Sequence, residues 1–110
     1  GEIPTWLGQL RNLQELHLHN NKLTGAIPAQ LGALNKLAWL DLSNNQLSVF
    51  PRAVAERFAA QKVQVDTGQN PWTEPPADVL DLGMGYAARF LKDLNDFGST
   101  SSNRLKVVLV

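Results

Sequence analysis

The stretch that decides the fold is Leu13-Gln14-Glu15-Leu16-His17-Leu18-His19-Asn20-Asn21-Lys22-Leu23-Thr24-Gly25-Ala26-Ile27-Pro28, because it recurs. Moved by 24 positions, Leu13, Leu16, Leu18, Asn21 and Leu23 fall on Leu37, Leu40, Leu42, Asn45 and Leu47. Working outward, Gly1, Ile3, Pro4, Leu7, Gly8 and Leu10 fall on Gly25, Ile27, Pro28, Leu31, Gly32 and Leu34. So many matches at one offset are an internal repeat, not a by-product of 18 leucines in 110 residues.

The unit L-x-x-L-x-L-x-x-N-x-L-T/S-G-x-I-P-x-x-L-G-x-L has a physical reading of its own. Leu16 and Leu18, then Leu40 and Leu42, alternate with polar residues, as a short strand with one buried face requires. Asn21 and Asn45 stand where the chain turns inward. A side-chain amide there can bond backbone groups that a bend leaves free, and a column of such amides cross-links successive units. Gly25 and Pro28 are expected to break the strand and fix an extended return, with Leu31 and Leu34 closing the core. One unit cannot bury its own apolar side, so units must stack.

The third unit departs from this pattern. Phe50 and Pro51 come one residue early relative to Ile27 and Pro28, and Arg52 to Gln61 has good helix formers with Val54 and Phe58 four apart. The spacing predicts a short helix replacing the extended return. Val65, Thr67, Asn70 and Trp72 then take the places of Leu, Leu, Asn and Leu in a degraded last unit, a register that puts Lys62 at the first Leu.

Asn70-Pro71-Trp72-Thr73-Glu74-Pro75-Pro76 ends the repeat, since adjacent prolines cannot continue a ladder. A capping helix is expected over 78–97, with Asp78 at its start. Val79, Leu82, Tyr86, Phe90, Leu94 and Phe97 make an apolar stripe expected to close the open end of the stack, with Ala87 and Leu91 on its border. Gly83 and Gly85 mark either a break or a close backbone approach. Residues 98–103 read as a polar linker, and Arg104-Leu105-Lys106-Val107-Val108-Leu109-Val110 as a buried-type strand with no neighbour of its own. Gly1 opens in mid-repeat and Val110 ends on that lone strand, so the chain reads as an excerpt of a longer one.

Composition narrows function by exclusion. Ten basic residues balance ten acidic ones, and residues 1–73, with six basic against five acidic groups, hold no strongly basic face to follow a phosphate backbone. The lack of Cys removes disulfides, thiolate zinc sites and cysteine nucleophiles. The apolar runs are too short to span a membrane. None of the 9 Asn lies in an N-x-Ser/Thr glycosylation acceptor, so nothing of that kind points to secretion.

The repeated residues resemble the leucine-rich repeat, in its 24-residue plant-like form with L-T-G-x-I-P. That resemblance covers residues 1–73 and implies an α/β leucine-rich-repeat solenoid. Its short parallel strands would line a concave, protein-binding face, followed by a capping segment over 74–97. The order of repeats, N-P-W-x-x-P-P, a helix ending in F-L-K-D-L, a linker and R-L-K-V-V-L-V is in turn similar to the Roco family. There, leucine-rich repeats precede a Ras-like Roc GTPase, which would start at residues 104–110. The resemblance implies a cytoplasmic signalling scaffold whose parent uses GTP and Mg²⁺. No G-x-x-x-x-G-K-[ST] phosphate loop occurs in the chain, so no nucleotide-binding residue carries over and no cofactor or catalysis is expected here. The alternative is a plant-like receptor or inhibitor ectodomain, which the missing Cys cap and glycosylation acceptors disfavour.

The residues between the core leucines predict the contact face. Glu15, His17 and His19 should lie beside Trp39, Asp41 and Ser43, with His17, Asp41 and Asp66 in one row about 4.8 Å apart. A histidine next to carboxylates tends to keep its proton, which implies pH-sensitive binding. His17, His19 and Asp41 are also of the types that ligate a metal or pair as a base. With no nucleophile motif and no H-E-x-x-H, the favoured reading is a polar face for a protein partner, Trp39 being its natural hot spot. Trp6 is expected on the opposite side and Trp72 in the core.

Overall fold

The computed structural model describes residues 1–98, and of Asn95 and Phe97 the backbone alone. The repeat is visible as two parallel sheets on two sides of one core. Strands β1 (Glu15–His17), β3 (Trp39–Asp41) and β5 (Gln64–Asp66) form the first, in that order. Glu15, Leu16 and His17 face Trp39, Leu40 and Asp41, which face Gln64, Val65 and Asp66. The degraded last unit thus has the register read from Val65, Thr67, Asn70 and Trp72. Lys62 does not fill the first Leu position, however. It closes helix α1 (Arg52–Gln61) in a left-handed conformation, φ 61°, and the next residue, Val63, is buried in the leucine's place.

The second sheet corrects the extended return. Strand β2 (Thr24–Ala26) pairs in parallel with β4 (Gln46–Val49), and Gly25, expected to break a strand, sits inside one opposite Leu47. Its φ of 81° bends the strand, and the register shifts between Gly25 and Ala26. The shift leaves Ser48 of β4, between Leu47 and Val49, without a partner in β2, and Phe50 is buried as fully as Ile27. Past Trp72 the chain still touches this sheet, with Thr73 and Phe50 donating to Ser48 and Glu74 carbonyls. After Pro4 and Pro28 the chain is not extended either: 3-10 helices run over Thr5–Gln9 and Ala29–Ala33, with α1 in the same place in the third unit.

Asparagine amides tie the units together. The Asn45 side-chain carbonyl accepts from the backbone N–H groups of Asn21 and Leu23 at 2.9 and 3.0 Å. Its Nδ2 donates to the carbonyls of Leu18 and Leu42, both at 2.9 Å. Asn70 repeats the arrangement one unit on, accepting from Leu47 and donating to Leu42. Just before each Asn, Asn20, Asn44 and Gln69 adopt φ near 60°, the turn that aims the amide inward. On the other side, the Gln61 amide donates to the Leu34 and Leu37 carbonyls of the preceding unit. Among the described residues, no buried side-chain polar atom lacks a partner.

The cap differs from its expected form. Helices α2 (Ala77–Leu80) and α3 (Met84–Gly98) are separated at Gly83, φ 111°. A stripe counted across that break is not one face. Leu80, Met84, Ala87, Ala88 and Leu91 are the buried residues, and α3 packs on α1, where Val54, Ala55 and Phe58 are buried. Alanines at 87 and 88 allow a close helix–helix approach. Leu82, Tyr86, Phe90 and Leu94, expected inside, are exposed at 63%, 65%, 36% and 45%. Gly98, expected to open a linker, closes α3. Residues 99–103 and the expected strand at 104–110 lie outside the described residues.

Candidate functional site

The face of the first sheet that points away from the leucine core carries Glu15, His17, Trp39 and Asp41 from β1 and β3, with His19 and Ser43 just beyond the strand ends. Alternation puts them there: Leu16, Leu40 and Val65 turn inward, so their neighbours turn outward. The structure brings all six together.

Their contacts are more specific than a row in register. His17, opposite Asp41, hydrogen-bonds Glu15 on its own strand, Nε2 to Oε1 at 3.1 Å. It is His19 that meets Asp41, Nδ1 to Oδ2 at 3.2 Å. The two imidazoles stand edge to face with centroids 6.0 Å apart, and the His17 ring lies 6.5 Å from Trp39. Asp66 completes the row on β5, where its carboxylate accepts from the Gly68 N–H.

Asp41 is the best-held member. Its Oδ1 accepts from both the Ser43 N–H at 3.0 Å and the Ser43 hydroxyl at 2.7 Å. Burial alone raises its pKa. The Ser43 hydroxyl and N–H, with the His19 and His17 imidazoles, outweigh that effect and hold the carboxyl below its ordinary value. The carboxylate at Asp41 is therefore ionised at neutral pH. Sequence reasoning placed Ser43 on this face without its part in orienting Asp41. The signal was present, since Asp-x-Ser spacing favours a side chain bonding the backbone two residues on.

A second feature was missed. Trp39, Gln64, Asp66, Leu80, Gly83 and Met84 line an open recess where the sheet meets the cap. It exists only because the α2–α3 break brings Gly83 and Met84 to the edge of β5. Trp6 is exposed, 57%, and Trp72 is core, its Nε1 donating to the Thr67 carbonyl at 2.8 Å.

Comparison with known proteins agrees with the repeat. Residues 4–47 match the family model described as Leucine rich repeat. No curated protein and no solved structure matches the chain. The match supports a leucine-rich-repeat protein of mixed helix and strand content. Leucine-rich repeats generally mediate protein–protein contact and are typically non-catalytic. No helix among the described residues is long and apolar enough to cross a membrane.

Proposed function

We propose that this leucine-rich-repeat protein is an interaction module from the C-terminal end of a repeat solenoid, binding a protein partner across the β1–β3–β5 face. The observation that carries the reading is the juxtaposition of Glu15, His17, His19, Trp39, Asp41 and Ser43 on that face, polar groups around one large aromatic side chain. Such a surface suits multipoint contact: the aromatic supplies area, and the oriented carboxylates and imidazoles supply complementarity. Contact of this kind needs no cofactor and no catalytic group, and the balanced charge favours a protein over a nucleic acid.

The wider reading is a cytoplasmic signalling scaffold of the Roco kind, with the plant-like repeats followed by a Roc-type GTPase beginning at residues 104–110. GTP and Mg²⁺ belong to that parent. Helix α3, packed on α1, would pass the position of the repeats to the GTPase.

Two experiments test the parts separately. Immobilised protein should capture its partner from cell extract. Trp39→Ala and His19→Ala should lose that capture, while Trp6→Ala, equally aromatic and itself exposed but on the 3-10 helix Thr5–Gln9, should keep it. Equal capture by all of these variants would refute the contact face. The residues encoded after Val110 should include G-x-x-x-x-G-K-[ST] within about ten positions. Its absence would sink the Roco reading and leave the contact face standing, and a signal peptide encoded upstream of Gly1 would favour an extracellular receptor or inhibitor instead.

A further inference from the structure

We propose that His17, His19 and Asp41 form a binding site for a divalent transition metal of the Zn²⁺ class on the β1–β3 face. The chain has two histidines in all, and both are here. His17 ends β1 and His19 stands two residues on, just past the strand, with Asp41 of β3 directly across from His17. One ligating atom from each of the three lies within 4.8 Å of the others. Three ligands on one tetrahedral Zn²⁺ at about 2.1 Å stand about 3.4 Å apart. The His19–Asp41 pair is already at 3.2 Å. The His17 and His19 side chains are 47% and 44% exposed, so the remaining closure takes side-chain torsions and no backbone movement.

The surrounding bonds separate this cluster from a chance grouping of polar residues. Ligating groups are usually held by a second set of hydrogen bonds, and two of these three are. Ser43 grips Asp41 Oδ1 through both its N–H and its hydroxyl, which leaves Oδ2 to face His19. Glu15 Oε1 bonds His17 Nε2 along the strand, which leaves Nδ1 as the nitrogen to ligate. Two imidazoles and one carboxylate suit Zn²⁺, Ni²⁺ or Cu²⁺ better than Ca²⁺ or Mg²⁺, which take oxygen ligands. A fourth position opens away from the sheet, toward water.

The test is a titration of the untagged 110-residue chain with ZnCl₂, followed by calorimetry and by NMR of the imidazole resonances. One equivalent of Zn²⁺ should shift both histidines together, and CaCl₂ should shift neither. His19→Ala and Asp41→Asn should each weaken binding at least tenfold. Ser43→Ala, which removes no ligand, should weaken it by about tenfold. A shift of one histidine alone, or of neither, would overturn the proposal. So would heat that persists unchanged in the His17→Ala/His19→Ala variant, which would place the cation elsewhere. The measurement involves no protein partner, so its failure leaves the contact face untouched.

Discussion

The side-chain carbonyl of Asn45 accepts the backbone N–H of Asn21, 24 positions earlier, at 2.9 Å. Through this bond one unit completes the hydrogen bonding of another. Asn45 is 7% exposed and serves five backbone groups in two units, whereas the Asn21 amide, at the outer end of the column, bonds the Leu18 and His19 carbonyls of its own unit.

Asn45→Ala should therefore destabilise the protein by about 3 kcal/mol, since it strands several backbone groups at once. Asn21→Ala should cost about 1 kcal/mol, its bonded carbonyls being near water. Urea unfolding of the two variants measures the difference, and equal costs would show that the amides do not couple units.

Gly8 and Gly32 occupy equivalent repeat positions but should not respond alike. A Cβ on Gly8 would lie 2.4 Å from the Gln30 carbonyl oxygen of the next unit, while at Gly32 its nearest neighbour would be the Arg57 side chain at 3.8 Å. Gly8→Ala should cost about 1–3 kcal/mol by forcing the first two units apart. Gly32→Ala should fall within about 0.5 kcal/mol of the parent. Thermal unfolding would separate them.

The rotated cap makes its own prediction. Ala87 is fully buried, so Ala87→Leu should overpack the helix interface and cost about 1–3 kcal/mol. Tyr86→Ser, one residue away on the exposed face, should change stability by no more than about 0.5 kcal/mol. If Tyr86→Ser proves the more damaging, the helix faces the other way.

Asp41 adds a dependence on pH. Its native pKa is lowered, so folding favours the ionised form. The stabilisation is complete above the ordinary carboxylate value of about 3.9 and is lost as pH falls through the native one. His17 faces it from β1, His19 from just past that strand, and Asp66 from β5. The excess stability of the parent over Asp41→Asn should shrink as pH falls from 5 to below about 4. A gap that widens over that range would contradict the lowered value.

Much of this architecture was legible in the sequence because it is local or periodic. Leu16 and Leu40 sit in matching register since a strand's two-residue period and the repeat length leave no other alignment, while Val65, 25 positions past Leu40, is placed by Thr67, Asn70 and Trp72 after it. The span of α1, Arg52–Gln61, follows from its composition and from Phe50-Pro51 ahead of it. The contact face was legible for the same reason: residues between inward leucines must point out.

What only the tertiary structure decided depends on distances between units. The second sheet of β2 and β4 arises because stacking brings two outer segments within hydrogen-bonding reach, which no single unit reveals. The phase of the cap was settled by packing, since the turn at Gly83 resets the helical period and small Ala87 and Ala88, not the larger Leu82 and Tyr86, fit against α1. At the candidate site the sequence by itself determined which residues share a face. Which partner each chooses — His19 for Asp41, Glu15 for His17, Ser43 behind the carboxylate — was decided by side-chain reach across neighbouring strands, a property of the folded sheet alone.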